Sequence, residues 1–194
     1  MNIESKYREG ISQALLAIQS LEELADFLNS IQEIRKLGNP HYKFENKEVT
    51  VQHLRYVLYS KESKYHTFEI PKKSGGVRTI MSPNRMVKHM QTLLNLALQC
   101  FYTPYSAATG FVPGRSIVTN AKRHINKKYV YNIDLENFFP SIYFSRVKSV
   151  LSKVPFTVIK PGELVQFGNV ERATTGTIHP QIAHYIANIC CHDG

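Results

Sequence analysis

The sequence has few cysteines and no long apolar run. Three cysteines among 194 residues are too few for a disulfide framework and fit a reducing compartment. No stretch approaches the ~20 apolar residues that a membrane-spanning helix needs, so no membrane partner is expected. The start, MNIESKYREG, lacks the apolar core of a signal peptide, and a cytoplasmic protein is therefore expected.

Acidic residues are scarce in the middle of the chain. Residues 61–128, the basic block, contain twelve lysines or arginines and two acidic residues, while the net charge of the whole chain is +9. The rest of the sequence is therefore close to neutral. A concentration of cations of this kind is typical of a phosphate-binding surface, although a solvated basic face would have the same composition.

Apolar periodicity predicts an α+β protein. Helical spacing predicts one helix over residues 11–28, a short helix capped by Thr50 and a last helix over about 178–191. Residues 67–81 alternate on both sides of a Gly-Gly turn and so predict a β-hairpin. Ser82 and the proline after it are expected to begin the next helix.

The second half of the chain contains one clear strand pattern, at residues 129–135, where apolar and polar residues alternate. A Gly/Pro loop over 110–116 and a short helix over 120–125 are expected before it. Ser141 is expected to cap the helix that follows. A turn at 160–163 is expected between two short strands.

Asp134 lies at the end of the predicted strand, close to two phenylalanines. A carboxylate in this position is either a metal ligand or a capping group, and taken alone the capping role is the simpler interpretation. Magnesium prefers one or two carboxylates together with substrate phosphates. Asp134 can supply one such oxygen and the backbone carbonyl of Leu135 another.

The predicted hairpin carries cations near its tip, at Lys72, Lys73 and Arg78. Cations on a thin arm can close over a triphosphate and neutralise the charge that develops during phosphoryl transfer. Taken alone, an exposed turn with ordinary lysines explains them equally simply.

Four short blocks follow one another in a fixed order: IPKKSGGVRTI at 70–80, GFVPGRSI at 110–117, NAKRH at 120–124 and NIDLENFFPS at 132–141. Together they resemble the opening blocks of bacterial reverse transcriptases, and NAKRH matches the Asn-Ala-x-x-His signature of the retron enzymes. The resemblance is specific over residues 65–141. It is looser over residues 1–60 and 155–176.

The resemblance implies a role for each matching residue of the polymerase site. Asp134 would be the first catalytic aspartate and would bind both Mg²⁺ ions of the complete site, with the Leu135 carbonyl as a further ligand. Phe139 would exclude a ribose 2′-hydroxyl and so select deoxynucleotides. The incoming triphosphate would be bound at the hairpin by Lys72 or Lys73 together with Arg78.

The resemblance also implies contacts with nucleic acid. Gly114, Arg115 and Ser116 would approach the template backbone, where glycine allows close contact and arginine binds phosphate. Asn120 and His124 mark the retron lineage. For these two residues, RNA contact and a structural hydrogen-bond network are both open.

The family has a second acidic block, Tyr-x-Asp-Asp, preceded by a Pro-Gln-Gly turn, and neither occurs in this sequence. Residues 189–194 resemble the helix end before that turn, so we expect the chain to end before its catalytic site is complete. Two-metal chemistry needs two ions about 3.5–4 Å apart. Asp134 alone does not hold both, and the chain by itself is expected to be inactive.

A zinc site is a weaker alternative near the C-terminal end. The spacing fits no usual zinc motif, and packing in the last helix is the favoured role of Cys190 and His184. The residues concerned are His179, His184, Cys190, Cys191 and His192.

The resemblance implies the fingers and the first part of the palm of a right-hand polymerase, with residues 1–60 as a helical extension, 61–128 as fingers and 129–194 as palm. The intact enzyme would copy a structured noncoding RNA into DNA from deoxynucleotides with Mg²⁺, and any effector protein is left open. One alternative is a group II intron or phage-defence reverse transcriptase, against which NAKRH argues. The other is a non-catalytic nucleic-acid-binding module, which the missing acidic block favours.

Overall fold

A computed structural model describes residues 5–38, 48–153, 155–156, 164–167, 170–173 and 176–192. Within these ranges the elements are, in chain order, α1 Ser5–Ala17, α2 Leu21–Gly38, α3 Val51–Tyr59, β1 Tyr65–Pro71, β2 Val77–Pro83, α4 Arg85–Leu98, α5 Ile117–Ala121, a 3₁₀ helix Lys122–His124, α6 Phe144–Val150, β3 Leu164–Phe167, β4 Val170–Ala173 and α7 Pro180–Cys190. The arrangement is helix-rich α+β, as predicted.

One apolar core joins α1, α2, α3, α4 and α7. Its members come from each of the three sequence segments that the resemblance suggested, because helices from the two ends of the chain pack on α4. A fully buried leucine or isoleucine contributes about 1.5–3 kcal/mol by leaving water. The largest fully buried side chains are Leu15, Ile18, Leu24, Leu28, Ile31, Leu54, Met90, Leu93, Leu94, Ile178, Ile182 and Ile186.

The prediction of one continuous helix over 11–28 is wrong, because α1 ends at Ala17 and α2 begins at Leu21. Side chains at the junction bind the backbone donors that begin α2. The Glu23 N–H donates to Ser20 Oγ at 3.1 Å, and the Gln19 N–H donates to Glu23 Oε2 at 2.8 Å. These reciprocal bonds satisfy backbone N–H groups that the break leaves without a helical acceptor. Ile18 is buried between the two helices, so the apolar spacing continues across the break.

The connection into α3 follows the sequence prediction. Thr50 caps the helix, with its hydroxyl accepting from the His53 N–H at 3.2 Å. Just before it, the side-chain amide of Asn29 on α2 binds both backbone groups of Val49. Asn29 Nδ2 donates to the Val49 carbonyl at 3.0 Å, and the Val49 N–H donates to Asn29 Oδ1 at 2.8 Å.

The predicted hairpin is confirmed as the antiparallel pair β1–β2, in register from Tyr65 with Pro83 to Pro71 with Val77. Its tip is closed by the Lys72 N–H to the Gly76 carbonyl at 3.0 Å and by the Gly75 N–H to the Lys72 carbonyl at 3.1 Å. Both glycines have positive φ, +89° at Gly75 and +80° at Gly76, which glycine adopts without steric cost. Most residues of the two strands are exposed.

The start of α4 differs from the prediction that Ser82 and Pro83 begin it. Strand β2 continues through Pro83, because Ser82 pairs with His66 in the hairpin. Asn84 is the cap instead, and its side-chain oxygen accepts from the Val87 N–H at 3.0 Å.

The predicted strand at 129–135 does not form. The residues have no regular secondary structure and all are exposed. A strand needs a neighbour for its backbone groups, and within the described ranges β1 pairs with β2 and β3 with β4. The alternation therefore indicates a propensity to form a strand, but residues 129–135 pair with no described strand and so form no sheet.

The prediction that Ser141 caps the following helix is wrong. The Ser141 hydroxyl donates to the Phe138 carbonyl at 2.6 Å, and α6 begins only at Phe144. Strands β3 and β4 pair antiparallel, and β3 lies against α1. The predicted turn at 160–163 falls outside the described residues. In the part of the chain that the structure describes, no helix is long and apolar enough to cross a bilayer.

Candidate nucleotide and nucleic-acid site

The hairpin tip gathers the three predicted triphosphate-binding cations around one cavity. Lys72, Lys73 and Arg78 line it together with Ile70, Pro71 and Ser74, and its volume is about 420 Å³. The three cations are exposed, and none forms an ion pair with another described residue. The tip therefore presents uncompensated positive charge that a polyanion can approach.

Asp134 and Leu135 lie in the exposed segment that the sequence predicted as a strand. The Asp134 carboxylate is accessible and suits one ligand position of a magnesium ion, since Mg²⁺ takes one or two carboxylates plus phosphate and water oxygens. A site for two ions needs more ligands. Across the described ranges, no group of three or more His, Cys, Asp or Glu side chains is arranged to hold a metal. These residues do not by themselves form a two-ion site.

Phe139 lines a second, larger groove of about 850 Å³. Tyr65 and Met81 at the base of the hairpin line one part of it, and the rest is lined by seven residues between Phe139 and Val147 and by residues 190–192. The structure thus brings Phe139 to the base of the same hairpin whose tip carries the cations.

Phe111 is a residue to which the sequence assigned no role, and it contacts Phe139. The two rings meet edge to face, with centroids 6.4 Å apart and planes at 90°. Phe111 has a φ of +57°, which is unusual for a bulky residue, and its side chain is 94% exposed. Its position in the block GFVPGRSI was the one feature of the sequence that could have drawn attention to Phe111. The contact itself joins two blocks, so neither block alone predicts it.

Gly114 is required by a turn. The Arg115 N–H donates to the Val112 carbonyl at 3.1 Å, with Pro113 and then Gly114, at a φ of +77°, between them. Proline followed by a residue of positive φ is the pattern of a type II turn. The resemblance implied close approach to a template, and this turn is a separate reason for glycine at the same position.

Arg115 and Ser116 both have partners within the protein. Nη1 of Arg115 donates to the carbonyls of Tyr105 at 2.6 Å and Ser106 at 3.3 Å, and also to that of Ala108. The Ser116 hydroxyl caps α5 by accepting from the Thr119 N–H at 3.3 Å. These contacts hold the loop before α5 and leave the rest of the Arg115 guanidinium for other acceptors.

Curated proteins similar to the chain share one family name. Retron Mx65 reverse transcriptase of Myxococcus xanthus is 48% identical over 88 residues, which are 45% of this chain and 20% of that protein. Retron Ec86 reverse transcriptase of Escherichia coli is 32% identical over 141 residues, 68% of this chain and 43% of that protein. Retron Mx162 reverse transcriptase of Myxococcus xanthus is 38% identical over 109 residues, which are 54% of this chain and 22% of that protein. The chain is a relative of the retron reverse transcriptases.

The chain spans between 20% and 43% of the length of those relatives. No family model matches it. No solved structure matches it either.

In the retron-type block NAKRH, the residue that makes a side-chain contact with a distant loop is Arg123. Its Nη2 donates to the Ser106 carbonyl, the same carbonyl that Arg115 binds. Asn120 and His124, which the sequence singled out, are exposed in this structure. Sequence reasoning missed Arg123 because the signature leaves its position unspecified.

Gln91 connects the base of the hairpin to α7. Its Nε2 donates to the Tyr65 hydroxyl at 2.9 Å and to the Ile189 carbonyl at 2.8 Å. Burial raises the pKa of Tyr65, and the hydrogen bond from Gln91 acts in the opposite direction. This bridge fixes the hairpin beside the groove that contains Phe139.

The histidines that suggested zinc have packing and capping roles. His184 lies edge-on to Phe144 at 5.2 Å, and His192 lies edge-on to Tyr65 at 4.9 Å. His179 caps α7 by accepting from the Gln181 N–H at 3.3 Å.

Proposed function

We propose that the chain provides the fingers and the first part of the palm of a retron-type RNA-directed DNA polymerase. The intact enzyme copies a structured noncoding RNA into DNA. The observation that supports this most directly is the group of Lys72, Lys73 and Arg78 around one cavity, on a hairpin whose base shares a groove with Phe139. The similarity to retron reverse transcriptases supports the same proposal.

In this proposal the hairpin tip binds the triphosphate of an incoming deoxynucleotide. The three cations offset the negative charge of the phosphates, and the short turn with its two glycines lets the backbone approach them closely. Phe139, at the base, is proposed to exclude a ribose 2′-hydroxyl with its ring. Phe111 contacts the Phe139 ring edge-on and limits the directions in which it can turn.

Asp134 and the Leu135 carbonyl are proposed as magnesium ligands. The ion supplies Lewis-acid activation and neutralises phosphate charge when it is bound. The residues described do not complete a two-ion site, so the 194-residue chain is proposed to bind RNA and to extend no primer. Primer extension by the purified chain would contradict this view of the metal site.

The basic block is proposed to bind RNA through phosphate contacts. Double-stranded RNA is recognised mostly by shape and backbone contacts, and such binding weakens steeply as salt rises. A second candidate, a non-catalytic nucleic-acid-binding module, is favoured by the lack of a three-residue metal group within the described ranges. Primer extension by the full-length protein separates the two, because only a polymerase incorporates nucleotides.

The hairpin assignment is tested by steady-state kinetics of the full-length protein on an RNA template. Losing a charge-assisted contact of about 1.5 kcal/mol or more, as in Arg78→Ala, should raise KM for deoxynucleotides about tenfold or more. Lys61→Ala removes another exposed cation, outside the tip, and should leave KM unchanged. Equal KM values for the two variants would remove the tip from nucleotide binding.

The role of Phe139 is tested in the same enzyme. Phe139→Ala should admit ribonucleotides, because the ring that blocks the 2′-hydroxyl is gone. Unchanged discrimination between ribonucleotides and deoxynucleotides would exclude Phe139 as the selecting residue.

A further inference from the structure

We infer that Tyr105 forms a stacking site for an unpaired base of single-stranded nucleic acid. The inference rests on the proposed function, because it names a further contact with the nucleic acid that this chain handles. The site lies on the loop 105–108, between α4 and α5.

The loop is held in place by two arginines from further along the chain. Arg115 donates to the carbonyls of residues 105, 106 and 108, and Arg123 donates to the carbonyl of Ser106. The loop also closes on itself, with the Ala108 N–H donating to the Tyr105 carbonyl at 3.1 Å. Its backbone conformation is therefore fixed before any ligand binds, which reduces the entropy cost of binding.

Tyr105 is presented to solvent by this fixed loop. Its side chain is 87% exposed, and among the described residues no other aromatic ring contacts it. Burial in the protein thus gives no reason for a large aromatic residue at this position. A tyrosine ring on a fixed backbone has few torsions to lose, so it offers a flat apolar surface at low entropy cost.

The positive charges in the sequence around Tyr105 favour a polyanion as the ligand of this site. The sequence contains no acidic residue between Glu69 and Asp134. The two arginines that hold the loop are part of this stretch, as are Lys122 beside Arg123 and the exposed pair Lys127 and Lys128. A fixed aromatic face among cations is the combination by which proteins bind single strands, with the ring stacking on a base and the cations facing phosphates.

The experiment measures the affinity of the 194-residue chain for a fluorescent single-stranded RNA oligonucleotide by anisotropy over a range of salt concentrations. Stacking on one aromatic is worth about 1–3 kcal/mol per base, so Tyr105→Ala should weaken binding about 5- to 150-fold. Tyr105→Phe keeps the ring and should stay within about twofold of the unaltered chain. Neither change should alter the dependence of affinity on salt, because neither removes a cation.

Two controls make the result specific. Tyr59→Ala makes the same chemical change on α3, where the ring is 63% exposed outside the basic block, and should leave affinity unchanged. Binding of a blunt RNA duplex should be unaffected by Tyr105→Ala, because paired bases are not available for stacking.

An affinity of Tyr105→Ala within about twofold of the unaltered chain would overturn the site while leaving the proposed function intact. An equal loss for duplex and single strand would also overturn it, because the contact would then be with the backbone. If the unaltered chain bound no RNA at any salt concentration, both the RNA-binding part of the proposed function and this site would be contradicted.

Discussion

Replacing Gly114 by alanine isolates the free-energy cost of one backbone conformation. Gly114 has a φ of +77°, and a Cβ built on it meets no heavy atom within 4 Å. Steric clash therefore contributes nothing, and the cost is that of the left-handed conformation itself, roughly 1–2 kcal/mol for an L-residue. For a chain of about this size 1 kcal/mol lowers Tm by about 2–4 °C, so Gly114→Ala should lower it by about 2–8 °C.

Gly110 supplies a matched control in the same loop. A Cβ on Gly110 also meets nothing within 4 Å, but Gly110 is not among the residues with positive φ. Gly110→Ala should therefore be neutral or should stabilise the fold by up to about 1 kcal/mol, because alanine restricts the unfolded chain. Gly114→Asn should lie between the two, since asparagine tolerates the left-handed region better than alanine.

The assay is thermal unfolding of the three variants, followed by circular dichroism. The reasoning is refuted if Gly114→Ala and Gly110→Ala have the same unfolding midpoint. RNA affinity, measured under conditions where all variants are folded, then separates the two roles of Gly114. A further loss of affinity in Gly114→Ala supports close approach of a nucleic acid backbone, and an unchanged affinity leaves the turn as its only role.

Two further predictions concern the core. Burial, with a smaller contribution from Arg35, lowers the pKa of His89 from its ordinary value of 6.5. As the pH falls below about 6.5, the unfolded chain therefore binds a proton at this histidine more readily than the folded chain does. Stability should fall on acidification from pH 7 to pH 5, and less so in His89→Leu; equal falls in urea midpoint would contradict this. Asn29→Asp places a carboxylate oxygen against the Val49 carbonyl in place of a donor and should cost about 1–3 kcal/mol in urea unfolding, whereas no change would show that the Asn29 contact is not maintained in solution.

The helical core was predictable because helix periodicity is a local property. Thr50 caps α3 and the last helix, α7, lies where the pattern indicated. The break between α1 and α2 was not predictable from apolar spacing, since buried Ile18 keeps the spacing while Ser20 and Glu23 end one helix and begin the next. The sequence indicated the break only through its polar capping residues.

Other features of the fold and the site were hard to predict because they depend on contacts between residues that are far apart in sequence. Residues 129–135 alternate as a strand does, but strand formation depends on a neighbour that the pattern cannot specify. Likewise, the cations at the hairpin tip are close in sequence, so their grouping around one cavity was foreseeable. The meeting of Arg115 and Arg123 at the Ser106 carbonyl, and of Phe111 with Phe139, depends on how distant segments fold together.

The exposed segment at 129–133 has a consequence for handling the purified chain. It reads Tyr-Val-Tyr-Asn-Ile, with no charge, proline or glycine, and its residues are exposed and pair with no strand in the described part of the chain. Short stretches with strong strand propensity and no charge add readily to identical stretches of other molecules through their free backbone groups. Concentrated solutions of the chain are therefore expected to self-associate through this segment.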